Sequence, residues 1–255
     1  MILVVADLHL GKTGRSDAAS LTDLMACIRH HLPDLEHVIF LGDTFDAFVE
    51  YPNYIPSFVR SWAELVRKLQ NEELKVTYVA GNHDRWHRGY IQNLIRNKVK
   101  REAFILRYGP HRVSLEHGDA AERVSAVVRL ARRFSDSPFI FRICALLLPF
   151  GGLQKLAALV SNKYAGGAPD DKTVSALEDH AANVLQSDDC NVVVMGHCHR
   201  ASFSRSENGI YINTGDWVES RTFVLLESGD FPRLSLSKWS GSGAEILAEE
   251  VFSAS

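Results

Sequence analysis

Cysteine is scarce in this 255-residue chain, and the four present, Cys27, Cys144, Cys190 and Cys198, form no Cys-x-x-Cys pair. That spacing argues against a disulfide framework and a thiolate zinc cluster, and it points to a reducing compartment. An excess of one charge is also missing. The 28 Lys and Arg residues face 31 Asp and Glu residues, a formal net charge of -3, which gives no global attraction for nucleic acid. No nucleic-acid partner is expected. A helix spanning a bilayer needs roughly 20 mostly apolar residues in a row, whereas the longest apolar segment, Pro138 to Val160, is broken by Arg142, Pro149, Gly151, Gly152 and Lys155. The amino terminus is apolar, but it has no basic stretch and is interrupted by Asp7 and His9, so it reads as a core strand rather than a secretion signal. There is no internal repeat. These absences predict a cytoplasmic location.

What remains is 46% hydrophobic and 23% charged, enough for one large domain with a well-buried core. The apolar runs Ile2 to Ala6, Val38 to Leu41, Val76 to Ala80, Arg112 to Glu116 and Asn191 to Met195 have the length and β-branched content of buried strands. A helical pattern covers Leu21 to Leu32, with Ser20 as its expected N-cap. A second helix is marked by Pro56 in its first turn and by Phe58, Val59, Trp62, Leu65, Val66 and Leu69 at helical spacing. This βαβαβ rhythm implies parallel strands joined by crossover helices. Between about residues 120 and 187 the pattern turns almost wholly helical, and an inserted cap is expected there. Short strands return at Gly209 to Asn213, Thr222 to Leu226 and Arg233 to Ser237. The tail from Gly241, rich in Gly, Ser, Ala and Glu, is expected to be loosely held.

Each of the five early runs is followed directly by a polar motif: Asp7-Leu8-His9, Gly42-Asp43-Thr44-Phe45-Asp46, Gly81-Asn82-His83-Asp84, His117-Gly118-Asp119 and Gly196-His197-Cys198-His199. Groups just past the carboxyl ends of strands face the crevice where open α/β sheets bind ligands. Their mixed oxygen and imidazole donors suit two divalent ions, manganese first, with iron or zinc as alternatives, better than calcium. Two such ions about 3.5 to 4 Å apart acidify a water and clamp phosphoryl oxygens, the needs of phosphate-ester hydrolysis. Asp7 and His9, two apart in an extended turn, would share the first ion, with His199 returning to it. Asp43 would bridge the two ions, and Asn82, His117 and His197 would complete the set of ligands around the second ion. His83, turned the other way, would face substrate and protonate a leaving oxygen, with Asp84 orienting it. Asp46 and Asp119 would hold ligand imidazoles by their distal N–H groups.

In order and spacing these motifs resemble the calcineurin-like metallophosphoesterase superfamily, whose D-x-H, G-D-x-x-D, G-N-H-D/E, H and G-H-x-H pattern is met from Asp7 to His199. The resemblance implies a four-layer α/β/β/α sandwich carrying the helical cap. Within the superfamily the chain is most similar to the UDP-2,3-diacylglucosamine hydrolases of lipid A biosynthesis, through Ala6-Asp7-Leu8-His9-Leu10, the Phe48 and Glu50-Tyr51-Pro52 that follow Asp46, and Asn213-Thr214-Gly215-Asp216-Trp217. That resemblance implies cleavage of the pyrophosphate of a nucleotide-linked glycolipid, with a cap that holds acyl chains and peripheral contact with the inner face of the inner membrane. The best-known branch has arginine where this chain has His83. A metallophosphodiesterase or phosphatase acting on another nucleotide or soluble phosphoester therefore stays open, as does a non-catalytic scaffold on the same fold.

Substrate-binding candidates are Asn82, His83, Arg85, Arg133, Asn162 and Lys163. Arg85, Arg88, Arg96, Lys98, Lys100 and Arg101 form a basic group whose plain alternative is a solvated helix face. The histidines outside the motifs, His30, His31, His37, His87, His111 and His180, are expected at the surface. Cys198 is expected to be small and buried, and Trp217 to pack the edge of the site.

Overall fold

The computed structural model describes residues 1–51, 54–87, 89–109, 111–121, 170–187, 189–230 and 232–252. Strands are β1 (Ile2–Val5), β2 (His37–Leu41), β3 (Lys75–Val79), β4 (Phe104–Tyr108), β5 (His111–Leu115), β6 (Val192–Met195), β7 (Ser202–Ser206), β8 (Gly209–Asn213), β9 (Thr222–Glu227), β10 (Arg233–Trp239) and β11 (Ala244–Val251). Helices are α1 (Asp17–His31), α2 (Ser57–Asn71), α3 (Tyr90–Ile95) and α4 (Asp171–Gln186). One six-stranded sheet has the order β11-β10-β9-β1-β2-β3, and a five-stranded sheet has the order β4-β5-β6-β8-β7.

The burial pattern explains the layers. In β1, Leu3 and Val5 join a core shared with α1 and α2, whereas Ile2 and Val4 join one shared with the second sheet. Alternate side chains of a strand leave by opposite faces, so a strand covered on both faces reads as an unbroken apolar run. β2 divides in the same way, with Val38 and Phe40 on one side and Ile39 and Leu41 on the other. On the first sheet's outer face, α2 buries Val59, Trp62, Val66 and Leu69 at helical spacing. On the second sheet's outer face, α4 buries Leu177, Ala181 and Leu185 against Val193, Met195 and Tyr211. The four-layer α/β/β/α sandwich expected from the sequence is the observed fold. No helix among the described residues is long and apolar enough to cross a membrane.

Several local expectations change. Helix α1 starts earlier than expected, because Ser16 rather than Ser20 accepts from the Ala19 N–H and caps it. Ser20 lies inside the first turns, where its carbonyl accepts from Trp217 Nε1 at 3.2 Å. Of the region from about 120 to 187 expected as a cap, residues 171–186 form the helix of the fourth layer, and residues 122–169 lie outside the described ones. Residues 244–251 are not loose; they pair with β10 along its length. His37 and His111 are buried rather than superficial, since both open strands that are covered by neighbouring layers.

His37 pairs with Thr77 Oγ1 at 2.9 Å. Burial, helped by Lys75, pushes its imidazole down to about 4, below the ordinary unfolded value of about 6.5. The unfolded chain thus takes up a proton that the folded chain refuses, and stability is lost as pH falls from about 6.5 towards about 4. His37→Gln is expected to flatten the change in urea midpoint between pH 7 and pH 5 relative to the parent. An unchanged slope would show that His37 does not report on folding.

Candidate metal centre

The strands deliver their polar motifs to one place because their loops stay hydrogen-bonded after the strands end. Asp7 N–H donates to Gly42 O, His9 N–H to Asp43 O, Leu10 N–H to Thr44 O and Asp46 N–H to Leu10 O, all at 3.0 to 3.1 Å. The pairing continues sideways, with Phe48 N–H donating to His83 O at 3.1 Å and Glu50 N–H to Trp86 O at 3.0 Å. From the second sheet, His197 N–H donates to Asp7 Oδ2 at 2.8 Å, and His117 Nδ1 meets Leu41 O at 3.0 Å. A carbonyl only accepts, so Nδ1 of His117 carries a proton, and Nε2 is the atom turned towards Asp43 and the site.

Asp7, His9, Asp43, His197 and His199 all have positive φ, between 45° and 72°. Such backbone is uncommon outside glycine, and its concentration at one spot marks strain held for function. Gly42 and Gly81 make room around these residues. A Cβ on Gly42 would clash with the His117 ring, and one on Gly81 with the Asp43 carboxylate and backbone.

Three donor clusters result among the described residues: two made wholly of the expected ligands, and a third of His9, Asp46 and His83. Asp7, His9 and His199 bring ligand atoms within 4.8 Å of one another, and so do Asp43, His117 and His197. In the first, His9 Nε2 and His199 Nε2 stand 3.0 Å apart, while Asp7 Oδ1 lies 3.4 Å from His199 Nε2 and 3.8 Å from His9 Nε2. Asp7 Oδ1 is buried yet satisfied by no hydrogen bond, the condition a cation would relieve. In the second, Asp43 Oδ2 is 3.3 Å from His117 Nε2, and Asn82 Oδ1 is also 3.3 Å from that nitrogen. The mixed oxygen and imidazole donors fit a pair of divalent ions. All seven residues singled out in the sequence as ligands are therefore brought together.

Charge at the site is set by competition. Burial pushes the Asp43 carboxyl up, but the His117 and His83 imidazoles outweigh it and hold Asp43 well below the usual carboxylate range. Asp7 behaves likewise, with His199 opposing burial. Both carboxylates are thus ionised at neutral pH.

The neighbours sort differently from expectation. Asp46 Oδ1 lies 3.3 Å from His9 Nδ1, as foreseen. Asp119 forms an ion pair with Arg85 at 3.5 Å, which places Arg85 beside the site. The His83 ring is oriented by Asp46 O, 2.6 Å from Nδ1; its Nε2 lies 3.9 Å from Asp43 Oδ2. Asp84 does not take the orienting part, because its buried oxygens accept from Gly81 N–H at 2.7 Å, Tyr78 Oη at 2.6 Å and Phe45 N–H at 3.2 Å. It straps the third loop to the second. Asn213, which sequence reading placed in a supporting motif without a task, donates from Nδ2 to Gly196 O at 2.7 Å and accepts from Gly215 N–H at 3.0 Å, bracing the loop of His197 and His199. Trp217 is buried and Cys198 is buried, as expected. Arg133, Asn162 and Lys163 lie outside the described residues.

Asp84→Ala leaves three buried donors without an acceptor, each worth roughly 1 to 3 kcal/mol. The expected loss is about 3 kcal/mol or more in a urea denaturation series; a loss under about 1 kcal/mol would contradict the strap.

The comparisons with known proteins agree with this geometry. UDP-2,3-diacylglucosamine hydrolase of Porphyromonas gingivalis is 27% identical over 126 residues, 48% of this chain and 47% of that protein, so the match spans about half its length. The protein of the same name from Haemophilus influenzae is 22% identical over 235 residues, 89% of this chain and 95% of that one. Vacuolar Protein Sorting 29 from Cryptosporidium parvum shares the fold, with a TM-score of 0.52 at 16% identity over 99% of this chain and 97% of its own. The profile described as calcineurin-like phosphoesterase matches residues 1–201, which contain all five motifs, and the chain belongs to that family.

Proposed function

We propose that this protein hydrolyses the pyrophosphate of UDP-2,3-diacylglucosamine, giving 2,3-diacylglucosamine 1-phosphate and UMP. The observation that carries the hydrolytic part is the pair of neighbouring donor clusters, Asp7-His9-His199 and Asp43-His117-His197, joined where His197 N–H donates to Asp7 Oδ2. The substrate rests on the two curated relatives of that name. Two divalent ions, when bound, supply a water acidified to act near neutral pH and positive charge for the phosphoryl oxygens. Asp7, His9 and His199 would hold one ion, Asn82, His117 and His197 the other, with Asp43 shared between them.

The remaining work falls to the chain's own groups. His83 is fixed by Asp46 O at Nδ1, so its Nε2 is the atom that can donate a proton to the leaving oxygen. The side chains of His83 and His199 are 20% and 39% exposed, whereas that of Asp43 is 2% exposed. Substrate therefore approaches over the two histidines, with the bridging carboxylate beneath. Arg85, held by Asp119, is positioned to meet a phosphate or sugar. The enzyme would work in the cytoplasm, drawing its lipid from the inner face of the inner membrane.

Asp43→Asn removes the charge that the two clusters share and is expected to lower turnover by at least a thousandfold with the thermal midpoint within a few degrees of the parent. Substantial activity at full metal loading would refute the bridging part. Release of UMP from UDP-2,3-diacylglucosamine is expected to exceed turnover of bis-p-nitrophenyl phosphate in manganese. Activity on the soluble diester alone would sink the lipid assignment and favour a nucleotide phosphodiesterase.

A further inference from the structure

The later members of the basic group that follows His83 do not lie on a helix face. Helix α3 ends at Ile95, where Arg96 takes the left-handed conformation, φ 53°, that stops it. The chain then runs beside β3: Lys100 N–H donates to Tyr78 O at 3.0 Å, and Ala80 N–H donates to Lys100 O at 2.8 Å. It continues into β4, where Phe104 faces Leu115 of β5 and Tyr108 faces His111. Ala80 stands two residues before Asn82, and Leu115 two before His117. This stretch therefore lies along strand ends that supply the metal centre.

Residues 96–107 hold five cations, Arg96, Lys98, Lys100, Arg101 and Arg107, against one acid, Glu102, in a chain whose formal net charge is -3. None of the five forms an ion pair among the described residues. Other surface arginines do: Arg112, Arg200, Arg205 and Arg233 each meet a carboxylate at 2.7 to 3.6 Å. Four of the five cations are exposed, and the half-buried Lys100 carries its Nζ 5.1 Å from the centre of the Phe104 ring. Its stem thus covers apolar surface while its charge stays within reach of water. β4 turns Phe104, Leu106 and Tyr108 towards the core between the sheets and Ile105 and Arg107 outward. Ile105 is 44% exposed.

Unpaired cations at this density repel one another, a cost that an anionic partner relieves. An exposed isoleucine in their midst adds little to contact with a phosphate backbone, but it gains by leaving water for the interface of a bilayer. Anionic headgroups over an acyl layer complement both features.

We infer that residues 98–107 are a docking surface for an anionic lipid bilayer, with Lys98, Lys100, Arg101 and Arg107 on the headgroups and Ile105 at the interface. A docked protein holds the strand ends of its metal centre beside the lipid. Docking here deepens the function proposed above and rests on it for its purpose, while the binding itself is read without substrate.

Co-sedimentation of the full chain with vesicles of phosphatidylglycerol and phosphatidylcholine in about equal parts, beside vesicles of phosphatidylcholine alone, provides the test. Binding is expected to the anionic vesicles only, and to fall at least tenfold as salt rises from about 0.01 M to about 1 M. Lys98→Gln, Lys100→Gln and Arg101→Gln combined are expected to weaken it about a hundredfold, at roughly fivefold per charge. Ile105→Ser is expected to weaken it about fivefold, with turnover of bis-p-nitrophenyl phosphate unchanged in both variants. If the triple variant fails to fold, Ile105→Ser and the salt dependence of the parent carry the comparison. No binding by the parent, equal binding to neutral vesicles, unaltered binding by the variants, or tighter binding of a mixed-sequence RNA would each overturn the surface. Vesicle binding with these properties upholds it even where UDP-2,3-diacylglucosamine is not cleaved, and its absence overturns the surface while leaving that assignment standing.

Discussion

Everything at the metal centre depends on hydrogen bonding that outlasts the sheet. Beyond the ends of β1 and β2 the chain turns away from strand geometry, yet Asp7, His9 and Leu10 still donate to Gly42, Asp43 and Thr44. Left-handed backbone costs a non-glycine residue about 1 to 2 kcal/mol, and five residues of the centre adopt it. Such a set persists only where the surroundings over-determine it. Here the surroundings are the paired loops above and an aromatic base below, where Phe45 lies 5.4 Å from Trp62 and 5.0 Å from Phe48 between ring centroids.

Three buried carboxylates within this frame have different fates because of what faces them. Asp7 and Asp43 look at imidazoles and are held ionised. Asp84 looks at a phenol and two amides, and burial together with the charge of Asp43 pushes it up to about 6. Identical side chains on adjoining loops thus become donors towards the centre in one case and an internal strap in the other. The opposing signs of burial and neighbouring charge decide between them.

This division also shows what a sequence reveals. The ligand positions were legible because each follows a doubly covered strand, where an apolar run stops abruptly at Asp, Asn or His. The α/β/β/α layering followed from the same runs. The part played by Asp84 was not legible, since its partner Phe45 is 39 residues away and nothing local tells a strap from a catalytic aspartate. Edge strands were missed for another reason. β4 alternates half-buried and exposed residues, with Ile105 and Arg107 outward, and β11 has no buried residue and no clean alternation of apolar and polar side chains, so neither has the apolar signal of a central strand. His37 and His111 were placed outside because histidine is commonly superficial; only the covering layers bury them.

The sheet order has a consequence for synthesis. β1 pairs with β2 on one side and with β9 on the other, and β9 lies some two hundred residues further along the chain. The first edge of β1 can be satisfied soon after it leaves the ribosome, but the second stays open until almost the whole chain has been made. An apolar strand with one free edge is a template for intermolecular pairing. All seven proposed ligands, Asp7 to His199, therefore lie on the chain made before β9 closes the open edge of β1.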